Sequence, residues 1–264
     1  MARGGPKLHS GPKLHSGPKL HHERRQELGQ SFQDGGDHYD RVRPGYPGES
    51  ADWLIPAGAK DAADLGAGTG KFTSLLVERG LHTAAVDPSA DMLEQLRAHY
   101  PEVAATEGTA EATGLPDSAF DVVSVAQAWH WCDPLPASTE LARILRSGGT
   151  LGLIWNQLDT SVPWVHRLSR IMHAGDVYKP GFRPVVGPEF EGLENHITRW
   201  EDSLSTADIV ELTKSRSYYL RAGEATRNKV LGNLDWYLHE HLGHSTGDVI
   251  ALPYLTLTWR ARKA

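Results

Sequence analysis

A cluster of small and acidic residues near position 66 is the stretch of this sequence best suited to bind a ligand. An apolar run over 61–65 precedes Gly66, Gly68 and Gly70, and a helical pattern over 72–79 follows them. Glycine is favoured where the backbone takes a positive φ or must lie against a ligand. The helix start beyond the glycines presents free N–H groups. The stretch therefore predicts a strand, a tight turn and a helix that together form a small-molecule site.

The spacing of the glycines separates this turn from two nucleotide-binding loops. In the dinucleotide fingerprint G-x-G-x-x-G, the third glycine would stand where Lys71 stands here. The turn also departs from the phosphate-loop pattern G-x-x-x-x-G-K-[ST]. A glycine triplet alone is also compatible with a purely structural turn, so the flanking residues decide between these interpretations.

The acidic residue Asp87 follows a second predicted strand, over 81–86. A carboxylate about 20 positions after such a turn, at the end of the second strand, is placed to accept hydrogen bonds from ribose hydroxyls. Asp87 could instead cap the helix predicted over 90–97, although Ser89 is the better placed cap. We therefore expect Asp87 to bind a ribose.

With further motifs along the chain, these residues resemble the class I S-adenosylmethionine-dependent methyltransferases. The motifs are Asp64-x-Gly66-x-Gly68-x-Gly70, Asp87, Gly108-Thr109-Ala110-Glu111 and Phe120-Asp121-Val122-Val123-Ser124. Residues 39–47 (YDRVRPGYP) and 126–131 (AQAWHW) are similar to the small-molecule type 11 branch, which includes ubiquinone/menaquinone-type and trans-aconitate-type methyltransferases. The resemblance covers residues 37–158.

The resemblance implies a fold and an activity. The fold is α/β, a Rossmann-like sheet of five parallel strands plus a closing pair with one antiparallel strand, and helices on both faces. The implied cofactor is S-adenosyl-L-methionine, which leaves as S-adenosyl-L-homocysteine after direct in-line methyl transfer to a small-molecule acceptor. We expect an oxygen acceptor and leave carbon and nitrogen open. The alternatives are an NAD(P)-binding oxidoreductase and a non-catalytic protein that retains the fold.

The resemblance also implies which residues contact the cofactor. Tyr39 and Arg43 would lie near the methionine carboxylate or the adenosyl group, and Asp64 near the amino group. The residues near position 110 would lie beside the adenine. The predicted cofactor-binding residues are Tyr39, Arg43, Asp64, Gly66, Gly68, Gly70, Asp87, Pro88, Met92, Ala110, Glu111 and Gln127.

Several of these residues have structural alternatives. Arg43 could cap a helix end or pair with a surface acid. Asp64 could hold the glycine turn by accepting its backbone N–H groups. Met92 could be a core residue, and Glu111 could be an exposed acid at a helix start.

His130 is the candidate catalytic residue. It follows the strand predicted over 120–125, and ligands of open parallel sheets bind beyond the carboxyl ends of the strands. Its ordinary pKa of about 6.5 suits a group that takes a proton at neutral pH. A histidine packed between Trp129 and Trp131 is the alternative, because an already activated acceptor needs no base and alignment supplies much of the rate.

The composition limits which kinds of binding partner are expected. The chain has 264 residues and a formal net charge of −6, which disfavours a broad nucleic-acid surface. The single cysteine, Cys132, allows no internal disulfide and fits a reducing cytoplasm. No apolar run has the length of a membrane span. We expect a cytoplasmic protein without membrane, nucleic-acid or metal partners, and the sequence does not predict its oligomeric state.

The chain is expected to divide into three parts. Residues 1–23, with a six-residue repeat (GPKLHS), are predicted to be a disordered tail, 24–158 the cofactor-binding part, and 159–264 a substrate cap and closing strands of the same domain. Trp164, Tyr178 and Phe182 are candidates for lining the acceptor pocket.

Helices are predicted over 48–58, 72–79, 90–97, 136–146, 162–172, 205–220 and 226–242, and strands over 61–65, 81–86, 103–106, 120–125, 150–155, 196–203 and 248–259. Pro253 favours an edge or a bulge for the last strand.

Overall fold

The computed structural model describes residues 43–174, 177–179 and 181–264. The predicted tail and Tyr39 lie outside the described residues. The strands are β1 (Asp61–Leu65), β2 (His82–Asp87), β3 (Ala104–Glu107), β4 (Phe120–Ala126), β5 (Leu145–Leu158), β6 (Phe190–Ser205) and β7 (Val249–Lys263). The helices are α1 (Gly48–Leu54), α2 (Thr73–Glu78), α3 (Ala90–His99), α4 (Pro134–Ile144), α5 (Pro163–Ile171), α6 (Thr206–Lys214), α7 (Ser217–Arg221) and α8 (Glu224–Asp235), with a 3-10 turn at Trp129–Trp131 and a π-helical turn at Trp236–His241.

The seven strands form one mixed sheet in the order β3-β2-β1-β4-β5-β7-β6. β1 to β5 are parallel, and β7 is antiparallel to both β5 and β6. This confirms the predicted α/β fold of five parallel strands and a closing pair. The chain leaves β1 toward β2 and β3 and returns on the other side at β4, so the crevice beyond the carboxyl end of β1 is the expected ligand site of such a sheet.

Both faces of the central strands are covered, which explains their apolar sequences. Val122 packs in a cluster with Leu54 and Leu76 on one face, whereas Val123 packs with Leu141 and Leu151 on the other. Successive side chains of a strand point to opposite faces, so a strand buried on both sides needs apolar residues throughout. None of the described helices is long and apolar enough to cross a membrane.

The helix predicted over 205–220 is instead two helices, α6 and α7. Ser205 caps α6 through a reciprocal capping box with Asp208. At the other end, Thr213 Oγ1 donates to the carbonyl of Ile209 and Ser215 Oγ donates to the carbonyl of Leu212. Hydroxyl groups bonded to their own helix carbonyls weaken continued helix, and the chain turns here before α7.

The prediction that Pro253 favours an edge or a bulge is wrong, because β7 lies between β5 and β6, and Pro253 pairs with Glu201 in regular register. The pairing of β5 with β7 ends at Leu158 and Tyr254. Beyond it, the Pro253 carbonyl accepts a hydrogen bond from the backbone N–H of Asp159, 2.9 Å away. In an antiparallel pair, the backbone nitrogen and carbonyl of one residue point toward the same neighbouring strand. The Pro253 nitrogen therefore points toward β5, beyond the end of that strand, where the N–H that proline lacks is not needed for pairing.

Candidate active site

The glycine turn between β1 and α2 leaves open space at one of its three glycines. Gly66, Gly68 and Gly70 all adopt positive φ, +64°, +56° and +97°. A Cβ on Gly66 would lie 2.4 Å from the Cβ of Ala128, and one on Gly70 would lie 3.1 Å from the ring of Tyr100. A Cβ on Gly68 would meet no described atom within 4 Å. We call this open space the Gly68 hollow, and it is where a ligand can approach the backbone.

Asp87, at the end of β2, is buried and directed at the glycine turn. Its Oδ2 accepts from the backbone N–H of Gly68 (2.9 Å), and its Oδ1 accepts from that of Ser89 (2.8 Å). Burial raises the pKa of the Asp87 carboxyl, although the two backbone hydrogen bonds oppose that rise. Ser89 caps α3 by accepting from the backbone N–H of Met92, as predicted. The carboxylate therefore borders the Gly68 hollow, and its remaining lone pairs can accept further donors.

Asp64, at the end of β1, is enclosed by two hydroxyl groups. Thr73 Oγ1 donates to its Oδ2 and Ser124 Oγ donates to its Oδ1, both at 2.7 Å. The residue is 1% exposed, and burial raises the pKa of its carboxyl to about 6. These bonds connect β1 to α2 and β4 around the turn. A contact between Asp64 and the cofactor amino group stays a prediction.

The raised pKa of Asp64 predicts a pH-dependent stability. The folded protein keeps this proton up to about pH 6, whereas the unfolded chain releases it near the ordinary value of 3.8. The free energy of unfolding should therefore fall as pH rises between these two values and level off above them. Asp64→Asn carries no charge, so its stability relative to wild type should increase by up to about 3 kcal/mol between about pH 4 and about pH 7.

Urea unfolding of both proteins at the two pH values measures this difference. Asp91→Asn, an exposed position in α3, is the matched control and should follow the wild type at both pH values. If Asp64→Asn and wild type differ equally at both pH values, the buried carboxyl does not release its proton as described.

Gln127, directly after β4, combines an unfavourable backbone conformation with an unpaired polar atom. Its φ is +53°, rare for a residue other than glycine. Its Nε2 donates to the backbone carbonyl of Asn156 (2.9 Å), while its Oε1 is buried and has no hydrogen-bond partner among the described residues. Backbone strain and unpaired buried polar atoms are found preferentially at ligand sites. Gln127 adjoins Ala128, the residue that faces Gly66, and its side chain is directed toward β5, where its amide donates to Asn156.

His130 lies in the 3-10 turn and is held between two tryptophans. Its ring centre is 4.6 Å from that of Trp131, and the indole N–H of Trp155 donates to its Nδ1 at 3.4 Å. An indole nitrogen only donates, so Nδ1 must accept, and the neutral ring then carries its proton on Nε2. The two tryptophans in contact are thus Trp131 and Trp155, whereas the packing alternative named Trp129 and Trp131. That alternative and the catalytic role both stay predictions.

Arg43 contacts the C-terminal part of the chain. Its Nη2 donates to the backbone carbonyl of Ser215, the C-cap residue of α6, at 2.9 Å. This is the helix-end interaction that the sequence left open as an alternative. Contact of its guanidinium with a methionine carboxylate stays a prediction.

The predicted adenine-side residues lie between β3 and α4. Glu111 belongs to a tight turn between Thr109 and Ala112, so the alternative of an acid at a helix start is wrong. Its Oε1 accepts from the backbone N–H of Asp133, the N-cap of α4, at 2.8 Å. The remaining predicted residues differ in burial: Met92 and Ala110 are buried, and Pro88 is exposed. No cluster of metal-binding side chains is present in the described residues.

The end of β5 organises the site through contacts that the sequence did not reveal. The Trp155 indole reaches His130, the Asn156 amide donates to the Gly45 carbonyl (2.7 Å), and Gln157 Oε1 accepts from the backbone N–H of Tyr178 (2.7 Å). The position of Asn156 and Gln157 at a strand end was a signal of proximity to the site. Their partners lie 21 to 111 residues away in sequence, beyond the reach of local patterns.

Comparisons with known proteins identify the family. The model of the family described as "Methyltransferase domain" matches residues 63–153. The chain is 42% identical over 241 residues to an uncharacterized methyltransferase of Mycobacterium tuberculosis, a match that covers 91% of this chain and 98% of that protein. A 131-residue segment is 35% identical to the malonyl-[acyl-carrier protein] O-methyltransferase of Pectobacterium atrosepticum, 48% of this chain and 52% of that protein.

A solved structure shares the fold. A type II methyltransferase from Anaeromyxobacter dehalogenans superposes with a TM-score of 0.63 at 24% identity, covering 84% of this chain and 97% of that chain. The sequence relatives and the family match agree with the glycine turn beside Asp87. The chain therefore belongs to the class I S-adenosylmethionine-dependent methyltransferases.

Proposed function

We propose that this methyltransferase transfers the methyl group to an oxygen atom of a small-molecule acceptor in a single in-line displacement. The observation that carries the proposal is the Gly68 hollow, which is bordered by Asp87, within a turn whose Gly66 lies against Ala128 of the segment after β4. Membership of the family decides against an NAD(P)-dependent oxidoreductase and against a non-catalytic protein.

The described residues fit S-adenosylmethionine. The Gly68 hollow gives a ligand access to the backbone, and the unpaired Gln127 oxygen and the remaining lone pairs of Asp87 are acceptors for its hydroxyl and amino groups. The glycine turn would hold the methionine part, Asp87 the ribose, and Ala110 with Glu111 the adenine. When bound, the cofactor supplies a methyl group already activated by its sulfonium. The chain's own contribution is then to bind, align and exclude water.

An aromatic wall beside His130 is the proposed acceptor side of the site. The Trp155 ring lies 5.5 Å from that of Tyr178 and 5.4 Å from that of Phe182. The Trp129 indole N–H donates to the carbonyl of Val185 (3.0 Å) and fastens the same segment to the 3-10 turn. Tyr178 and Phe182 thus remain candidates for lining the pocket.

Trp164, the third predicted lining residue, packs in a different apolar cluster. Its neighbours there include Leu168 and Leu238, whereas Tyr178 and Phe182 pack against the cluster that contains Trp155. Its backbone carbonyl accepts from the Tyr237 hydroxyl (2.8 Å). We therefore assign Trp164 a packing role.

The orientation of His130 is compatible with an oxygen acceptor. With Nδ1 accepting from Trp155, the Nε2–H of the neutral ring is a donor. A carboxylate or hydroxyl oxygen can accept this hydrogen bond, as can the lone pair of a neutral amine, so the labelling experiment below decides between them. The Pectobacterium atrosepticum relative is an O-methyltransferase by name, which is consistent with this assignment.

The ribose role of Asp87 predicts a binding defect. Asp87→Ala should weaken binding of S-adenosylhomocysteine by about 1–3 kcal/mol, because buried ribose donors would be left unpaired. Calorimetric titration measures the change. Asp121→Ala is the matched control, since that carboxylate also accepts two backbone N–H groups, from Lys60 and Asp61, but at the opposite end of β1. Equal affinity of Asp87→Ala and wild type would discredit the ribose role.

The acceptor assignment is tested with S-adenosylmethionine that carries an isotopically labelled methyl group. Acceptors are offered as pairs that differ in one atom, a carboxylate or alcohol against the corresponding amine, and the products are located by mass spectrometry. We expect label on oxygen in the preferred pair. Label on nitrogen or carbon would overturn the oxygen assignment while leaving the methyltransferase activity established.

A further inference from the structure

The side chain of Asn156 joins separate parts of the chain beside the proposed cofactor site. The residue is 3% exposed. Its Nδ2 donates to the carbonyl of Gly45 (2.7 Å), and its Oδ1 accepts from Thr256 Oγ1 (2.6 Å). Its backbone carbonyl accepts from Gln127 Nε2 (2.9 Å). Asn156 therefore connects the segment before α1 to strand β7 and to the strained residue after β4.

The direction of each hydrogen bond in this network follows from the chemistry of its members. The Trp200 indole only donates, and it donates to Thr256 Oγ1 at 2.9 Å. The single hydroxyl proton of Thr256 then goes to Asn156 Oδ1, and the Gly45 carbonyl, which only accepts, requires the amide NH₂. An aspartate at position 156 would place an oxygen against the Gly45 carbonyl. The network thus requires an amide at this position.

We infer that Asn156 is a positioning residue for methyl transfer, acting through Gly45 and Gln127. The inference rests on the proposed function. Gly45 lies two residues after Arg43, and Gln127, which carries the buried unpaired oxygen, directly precedes Ala128, the residue that faces Gly66. The hydrogen bonds of Asn156 to Gly45 and to Gln127 hold the segment 43–47 and the Gln127 side chain in place before the cofactor binds. Less conformational entropy is then lost when the cofactor binds.

Two threonines that face each other provide a matched test. Thr198 on β6 pairs in register with Thr256 on β7, and both are buried. The Thr198 hydroxyl has no hydrogen-bond partner among the described residues. Thr256→Val and Thr198→Val therefore make the same chemical change at neighbouring positions, but only Thr256→Val removes the donor to Asn156.

The first measurement is the affinity for S-adenosylhomocysteine by calorimetry. We expect Thr256→Val and Asn156→Asp to raise the dissociation constant about tenfold, the usual effect of losing one buried hydrogen bond. Thr198→Val should match wild type, and Thr256→Ser, which keeps the hydroxyl, should restore wild-type affinity. Equal affinities of Thr256→Val and Thr198→Val would overturn the positioning role.

The second measurement is hydrogen exchange of the free proteins, which does not depend on the cofactor. Amides of residues 45–54 should exchange about tenfold faster in Thr256→Val and Asn156→Asp, while those of β1 and β4 keep their protection. Faster exchange with unchanged affinity would also overturn the inference, because the network would then be structural alone. If wild type itself fails to bind S-adenosylhomocysteine, the proposed function fails, and the exchange result still shows whether Asn156 anchors this segment.

Discussion

Gly68→Ala should weaken binding of S-adenosylhomocysteine by about 100-fold or more, equivalent to about 2.7 kcal/mol. Its Cβ would project into the Gly68 hollow, where no described atom lies within 4 Å, and would occupy the space of the ligand. The positive φ of +56° adds a cost of about 1 kcal/mol to stability for any residue with a side chain. Calorimetric titration measures the affinity, and thermal unfolding measures the stability.

Gly80→Ala separates the loss of space from the backbone strain. Gly80 also has a positive φ, +74°, and a Cβ there would also meet no described atom within 4 Å. It follows the far end of α2, away from the glycine turn. Both variants should lose similar stability, but Gly80→Ala should bind S-adenosylhomocysteine as wild type does. Unchanged affinity in both variants would show that the cofactor does not lie over Gly68.

His130→Ala should lower kcat by about 100-fold, within the range for removal of a catalytic hydrogen-bond donor. The histidine lies on the proposed acceptor side, so the affinity for S-adenosylhomocysteine should stay within about twofold of wild type. Steady-state kinetics with the preferred acceptor, followed across neutral pH, measures the loss. A loss of less than about tenfold would leave His130 a packing role only.

Trp155→Phe is the companion variant for His130. It keeps a large ring against Tyr178 and Phe182 but removes the N–H that donates to His130 Nδ1. The imidazole is then free to change tautomer, and we expect a smaller loss of kcat, about fivefold, from the cost of restoring the productive form. If Trp155→Phe equals wild type while His130→Ala is slow, the orientation by Trp155 is not required.

The sequence was informative where local signals are strong. The apolar run before Gly66, the helical pattern after the glycines and the serine cap at Ser89 are all recognised from neighbouring residues, and the corresponding strand and helices form as predicted. The arrangement of five parallel strands and a closing pair came from the family resemblance. Asp87 was selected by its position about 20 residues after the glycine turn, and its carboxylate faces that turn.

The sequence was less informative where distant contacts decide the structure. Gln127 reads as an ordinary residue at a strand end, and its left-handed φ arises from packing between β4 and β5. Asn156 likewise shows nothing of its bonds to Gly45 and Thr256, which are 111 and 100 residues away. Arg43 lies 172 residues from Ser215, the residue to which it donates, so this contact could not be found from neighbouring residues.

A crystal structure of the protein with S-adenosylhomocysteine would decide whether the glycine turn and Asp87 hold the cofactor. We predict that the ligand lies in the Gly68 hollow, with its ribose hydroxyls donating to the Asp87 carboxylate. A ligand bound elsewhere, or an Asp87 carboxylate with no contact to the ribose, would contradict the proposed site.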